Sequence, residues 1–278
     1  MTSTPGSSST TAAGRWADAL AAWAIPPEVL ARADRSPWEL PVQRFVGRAD
    51  EALSAPRGWS YERAASALEP GSSVLDVGSG AGAASLPLVP RVGQDGLVTA
   101  VDSRPDMLEA FETLAAPLAA RFHVVEGEWP QVASEVEVHD VVVAHHVVYN
   151  VADIAPFVAA LTDHARLRVV VELPPRHPLS WFNPLWEQFW GNTRPTGPTS
   201  DDFVDVLREV GVRDLVVYRW TRADRDLTPL DERAALVTQR LCLPPDRLAD
   251  VRAAIEHLAP PQVRDVVTVA WSGAAGAE

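Results

Sequence analysis

Val74-Leu75-Asp76-Val77-Gly78-Ser79-Gly80-Ala81-Gly82 is a short apolar strand that breaks into alternating glycines, and the small residues from Ala83 to Leu86 predict a helix directly after it. Glycine serves where a side chain would block a ligand's approach to the backbone, and where a sharp strand-to-helix turn demands dihedrals that other residues resist. Both are marks of a nucleotide-binding loop. The next apolar run, Gly96 to Asp102, ends in an acid 26 positions after Asp76. A carboxylate at the tip of a second strand can accept bonds from both hydroxyls of a ribose.

Working outward, apolar runs at 73 to 77, 97 to 101, 122 to 126, 140 to 146 and 168 to 173 alternate with helical spacing. That alternation predicts a parallel sheet covered on both faces. Pro105 opens the second helix, where a missing N–H costs nothing, whereas Pro87 falls inside the first and predicts a kink or an early end. A helix from Ser200 to Val210, capped by Ser200, leads to a strand at 212 to 219. Two helices follow within 229 to 258, and a last strand runs from Val263 to Trp271.

The 278 residues suffice for one large α/β domain with additions. Residues 1–13 are small and polar and are expected to be disordered. Residues 14–66 read as an N-terminal helical segment holding Trp16, Trp23, Trp38 and Trp59, whose rings are expected mostly to pack against the sheet domain. Residues 67–278 form the main domain, with an aromatic insertion at 174–199 and a helical insertion at 221–262. In the first of these Phe182, Trp186 and Phe189 recur at helical spacing, just beyond the carboxyl end of a strand, where ligands bind.

Charge and composition exclude several classes. Thirty-seven acids against twenty-four bases leave a net charge of −13, so long-range attraction to nucleic-acid phosphates is missing and a nucleic-acid partner is not expected. Every base is an arginine; without lysine there is no Schiff-base chemistry and no P-loop. No apolar stretch is long enough to span a bilayer, and the Ser/Thr-rich start lacks the parts of a secretory signal. The single Cys242, read as a buried helix residue, forms no internal disulfide and suits a cytoplasmic setting. No metal site is expected.

Two families use such a loop. Gly78, Gly80 and Ala83 satisfy a dinucleotide-binding pattern, which keeps an NAD(P)-dependent oxidoreductase open as an alternative. The fuller pattern is D-x-G-x-G-x-G, from Asp76 through Gly78, Gly80 and Gly82, followed by Asp102, by Val124-Val125-Glu126-Gly127-Glu128-Trp129, and by Asp140 to Val151. In these segments the chain resembles the class I S-adenosylmethionine-dependent methyltransferases, over roughly residues 70 to 220 and the last strand.

The resemblance implies a doubly wound, mostly parallel seven-stranded sheet, S-adenosyl-L-methionine as cofactor, and methyl transfer to a small-molecule acceptor. It implies that Gly78, Ser79, Gly80 and Asp102 hold the cofactor. It places Ser103 and Met107 beside the adenine, with Gly127, Glu128 and Trp129 closing the other side, and His145 near the methionine part. Asp76 is expected to support the loop, and Gly82 to serve helix packing. A hydroxyl acceptor must lose a proton, and His146 or His145, at the end of the fourth strand, fits a general base; alternation along a strand lets at most one face the acceptor. His177 and Tyr149 read as lining residues. Ala144-His145-His146-Val147 stands where enzymes that methylate DNA or protein amides carry an Asn- or Asp-Pro-Pro-Tyr signature, which argues against those substrates. A non-catalytic module that only binds the cofactor is the remaining alternative.

Overall fold

The structure is a computed structural model that describes residues 10–223, 228–257 and 263–274. Seven strands form one sheet: β1 (Ser73–Val77), β2 (Leu97–Asp102), β3 (Arg121–Glu126), β4 (His139–His145), β5 (Ala165–Leu173), β6 (Val216–Ala223) and β7 (Val263–Ser272). Their order is β3-β2-β1-β4-β5-β7-β6, with β1 to β5 parallel and β7 antiparallel to both neighbours. The inner strands are Val-rich and buried on both faces, as a covered parallel sheet requires, while β3 at the edge carries the exposed Arg121, His123 and Glu126. An antiparallel strand wedged between the fifth and sixth departs from the dinucleotide-binding order 3-2-1-4-5-6, and this removes the nicotinamide alternative.

The helices in chain order are α1 (Ala12–Ala21), α2 (Pro27–Leu30), α3 (Val42–Ser54), α4 (Trp59–Ala65), α5 (Val89–Val92), α6 (Pro105–Ala115), α7 (Ile154–Asp163), α8 (Asn183–Trp190), α9 (Ser200–Glu209), α10 (Leu230–Arg240) and α11 (Leu248–His257). Several expectations are corrected. Residues 1–9 of the expected tail lie outside the described residues, but Ala12 and Ala13 already belong to α1, whose first turn is capped by Thr11. No helix forms directly after the glycine loop. The chain turns, makes one 3-10 turn at Leu86–Leu88, and only then gives the four-residue α5, because Pro87 and Pro90 each lack an N–H for the helical ladder.

Thr199, not Ser200, caps α9: its side chain accepts from the Asp202 N–H while Asp202 accepts from the Thr199 N–H, a reciprocal capping box. The sixth strand starts four residues later than expected, after a turn with Asp214 at a positive φ of 55°, and runs through Ala223. The helical insertion therefore begins beyond 221, with residues 224–227 and 258–262 outside the described set. Cys242 is buried, yet it follows α10 in a left-handed turn with φ 54°.

Three apolar clusters hold the molecule together. One face of the sheet packs Leu75, Val142 and Val171 against α7 and α9, with Trp16 of α1 stacked on Tyr149 at 5.5 Å. The other packs Val74, Val98 and Val143 against α6 and the turn around Leu86. The third joins three distant stretches: Ile25 and Val29, Phe182, Leu185 and Trp186, and Val237, Leu241 and Ile255. Each fully buried side chain of this size contributes roughly 1.5–3 kcal/mol, so the N-terminal segment, the aromatic insertion and the helical insertion stabilise one another as a unit.

Candidate active site

The site lies at the carboxyl ends of β1, β2, β4 and β5. Gly78, Gly80 and Gly82 all have positive φ, which turns the backbone sharply after β1. The loop is anchored by the Gly78 and Ser79 N–H groups, both donating to the Val101 carbonyl of β2. Gly82 faces inward, where a methyl group would meet Leu86 and Phe111 at 2.7 Å, so its packing role stands on contact.

Asp102 ends β2 with both carboxylate oxygens engaged by backbone: Oδ2 accepts from the Gly80 N–H at 2.8 Å and Oδ1 from the Arg104 N–H at 3.0 Å. A carboxylate has about four lone-pair directions, so each oxygen keeps one for a ligand hydroxyl. Asp76 is fully enclosed. Ser85 donates to its Oδ2 at 2.6 Å, its Oδ1 has no partner, and burial, with the Asp102 charge adding, pushes its carboxyl up to about 7.

Two apolar side chains close over the glycines. A methyl group at Gly78 would meet Val147 Cγ2 at 2.5 Å, and one at Gly80 would meet Phe45 Cδ1 at 3.2 Å. Phe45 comes from the first turn of α3, and Arg104 donates to the Leu40 carbonyl just before it. The N-terminal segment thus lies directly on the loop.

The remaining expected cofactor residues are spread more widely. Ser103 is exposed, Met107 is buried in α6, and Glu128 is exposed beyond β3. Gly127 donates to the Asp102 carbonyl, and a side chain there would overlap Val132. Trp129 departs from the expectation that it closes over an adenine. Its ring is buried in the core, edge-on to His164 at 4.8 Å, and its indole N–H has no partner. His164 immediately precedes β5, at the end of the sheet away from the glycine loop.

The end of β4 separates the two histidines. His145 stays in the strand opposite Glu172 of β5; its Nε2 is buried without a partner, and burial pushes the imidazole down to about 4, so it is neutral near pH 7. His146 leaves the strand with φ 61°. Strand alternation therefore does not govern it, contrary to the sequence argument. Its N–H donates to the Glu172 carbonyl at 2.7 Å, and its half-exposed ring places Nε2 3.2 Å from Glu172 Oε1. Glu172 is 4% exposed and also pairs with Arg222 of β6 at 3.3 Å. Burial alone would raise its carboxyl, but the hydrogen bond from His146 and the charges of His145, His146 and Arg222 prevail and hold it well below the usual carboxylate range.

Glu172 is the functional residue that sequence reasoning missed. The signal was present: a lone acid near the end of an otherwise apolar strand, Val169-Val170-Val171-Glu172-Leu173, is an unusual buried charge. Tyr149 and His177 are held structurally. The Tyr149 hydroxyl donates to the Pro174 carbonyl, and His177 stacks on Trp23 at 4.0 Å. Among the described residues no group of three or more His, Cys, Asp or Glu side chains is placed to hold a metal ion.

Residues 74–167 match a family model described as a methyltransferase domain. No curated protein matches the chain in sequence. Among solved structures, a proposed sarcosine dimethylglycine methyltransferase from Galdieria sulphuraria is 16% identical, with 89% of this chain and 96% of that one covered at a TM-score of 0.52. A cyclopropane-fatty-acyl-phospholipid synthase-like protein from Lactobacillus casei is 15% identical, with 88% and 97% covered, also at 0.52. At such identities these two likenesses concern the fold.

Proposed function

We propose, for a chain whose residues 74–167 belong to the class I S-adenosylmethionine-dependent methyltransferases, that the acceptor is a small molecule and that His146, oriented by Glu172, takes the acceptor's proton. The residues present fit the cofactor: a loop of positive-φ glycines, a carboxylate at the end of β2 with spare lone pairs, and an unpartnered His145 Nε2 between them and β5. Gly78, Ser79, Gly80 and Asp102 would hold it. When bound, S-adenosyl-L-methionine supplies a methyl group on a sulfonium, which is already a good leaving group.

The chain's own contribution is then alignment, exclusion of water and one proton. Holding reactants in line can contribute on the order of 7–11 kcal/mol, and Phe45 and Val147, pressed onto the loop, limit solvent there. In neutral His146 the Nε2–H donates to Glu172 and Nδ1 keeps its lone pair, which accepts the proton of a hydroxyl or amine acceptor.

The observation that carries this reading is the His146–Glu172 pair, a base with a buried orienting carboxylate beside the glycine loop. The net charge of −13 disfavours a nucleic-acid acceptor, no described helix is long and apolar enough to cross a membrane, and the lone buried Cys242 suits the cytoplasm. As the resemblance implies, residues 14–66 and 174–199 fold across the cofactor and the acceptor as a lid. Incubating the protein with S-adenosylmethionine and a panel of phenols and amines, with mass detection of S-adenosylhomocysteine and methylated product, tests the reading. A protein that binds the cofactor but turns over none of the panel would instead be a binding module.

A further inference from the structure

Glu172 carries a negative charge into the interior and takes ion pairs from two side chains at the same oxygen: His146 Nε2 lies 3.2 Å from Oε1, and Arg222 Nη1 lies 3.3 Å from it. A buried carboxylate needs one compensating positive charge. The two partners differ in a way that decides which of them supplies it. A guanidinium keeps its proton at any pH the fold survives, whereas an imidazole can give its proton up.

The sheet explains how an arginine two strands away reaches the site. Glu172 lies opposite His145 of β4 and Thr268 of β7, and directly opposed residues point to one face. On that face Thr268 pairs with Ser60 of α4 and accepts the indole N–H of Trp220. Arg222 follows Trp220 by two residues and shares its face, so its side chain can return across β7 to the carboxylate. The other groups around Glu172 leave its charge to these partners. His145 is neutral near pH 7, and Thr268 and Ser60 carry no charge. Arg264 of β7 lies opposite Arg222, Arg48 of α3 lies over the Phe45 ring, and the site's other acids, Asp76 and Asp102, belong to β1 and β2.

We infer that Arg222 is a positioning residue: it is the standing counter-charge of Glu172, so that His146 rests against the carboxylate as a neutral base instead of becoming its counterion. The inference rests on the general-base reading above and deepens it. Without Arg222, the carboxylate would draw a second proton onto the imidazole, and that proton would occupy Nδ1, the lone pair the reaction needs.

Diethyl pyrocarbonate, which acylates a neutral imidazole but not an imidazolium, tests this with neither acceptor nor cofactor present, the rate at His146 being followed against pH by peptide mass spectrometry. In Arg222→Gln the pH of half-maximal rate is expected to rise by about one unit, and in Glu172→Gln to fall. The double variant lacks both charges and should return to within about 0.3 unit of wild type, as should Arg222→Lys, which keeps the cation. A purely structural role would not produce opposite shifts that cancel. If Arg222→Gln does not fold, Glu172→Gln and the double variant, which bury no unpaired acid, still decide by a fall in the first and a return in the second. An unshifted Arg222→Gln, an Arg222→Lys as shifted as Arg222→Gln, a rise in Glu172→Gln, or a double variant away from wild type overturns the inference. Turnover of the phenol and amine panel reads the base assignment separately: the expected shifts without turnover would sink that assignment and leave the charge balance standing.

Discussion

His146 Nε2 lies 3.2 Å from Glu172 Oε1 across the ends of two parallel strands, and the backbone of His146 bends into the left-handed region to reach it. A non-glycine residue held at positive φ costs of order 1 kcal/mol or more, so the surrounding contacts must hold it there. Two bonds do so: the His146 N–H to the Glu172 carbonyl, and the ring to the Glu172 carboxylate. Arg222 balances the buried acid from the far side.

Replacing His146 by Gln should lower kcat by about 10²–10⁴-fold, the usual range for loss of a general base, while S-adenosylhomocysteine affinity stays within about twofold. Glu172→Gln should lower kcat by a smaller factor with little change in KM, because it frees the ring's orientation without removing the base. Steady-state kinetics on both variants and the double variant check this. Independent, multiplicative losses would mean that the two residues do not work as a unit.

Glu172 also leaves a mark on stability. A carboxyl held low in the folded protein contributes stability that is present above its unfolded value, near 4.5, and is lost as the pH falls below it. Wild-type protein should therefore lose stability more steeply below about pH 4.5 than Glu172→Gln. Denaturant melts between pH 3 and pH 6 measure the difference in slope.

Asp76 has the opposite sign. Its folded carboxyl holds its proton up to about 7 while the unfolded one loses it near 3.8, so its stabilising contribution is full below 3.8 and is lost as the pH rises through 7. Asp76→Asn cannot ionise and can keep the hydrogen bond from Ser85. Relative to wild type, the variant should gain stability progressively from pH 4 to pH 8, by on the order of 4 kcal/mol at most. Thermal melts at pH 5 and pH 8 give the comparison; an identical pH dependence in the two proteins would remove Asp76 as a buried titrating group.

Asp102→Ala removes two lone pairs offered to a ribose and the anchors of the Gly80 and Arg104 N–H groups. At roughly 1.5–3 kcal/mol per charge-assisted bond, S-adenosylhomocysteine binding should weaken by at least about tenfold, as read by calorimetry. An unchanged dissociation constant in a folded variant would contradict the cofactor assignment.

Gly78→Ala places a methyl 2.5 Å from Val147 Cγ2 at a φ of 67°. The strain and overlap together should cost about 1–3 kcal/mol and lower the melting temperature. Pairing it with Val147→Ala should recover part of the loss, the portion due to overlap and not to φ.

The alternation of apolar runs with glycine, proline and capping residues was enough to read the sheet domain, because strands buried on both faces leave a continuous Val-rich signal and a positive-φ turn demands glycine. The motif from Asp76 to Gly82 and the acid at 102 are likewise local facts of the chain. What the sequence could not supply were relationships between distant residues. Glu172 meets His146 only because β4 and β5 pair with His145 opposite Glu172, and Trp129 turns into the core where it meets the edge of His164. Arg222 reaches the same carboxylate only because β6 lies beside β7, two strands from β5. Local pattern follows from the backbone's need for hydrogen bonds and allowed dihedrals; a site's chemistry depends on which side chains are left facing one another once the chain has packed.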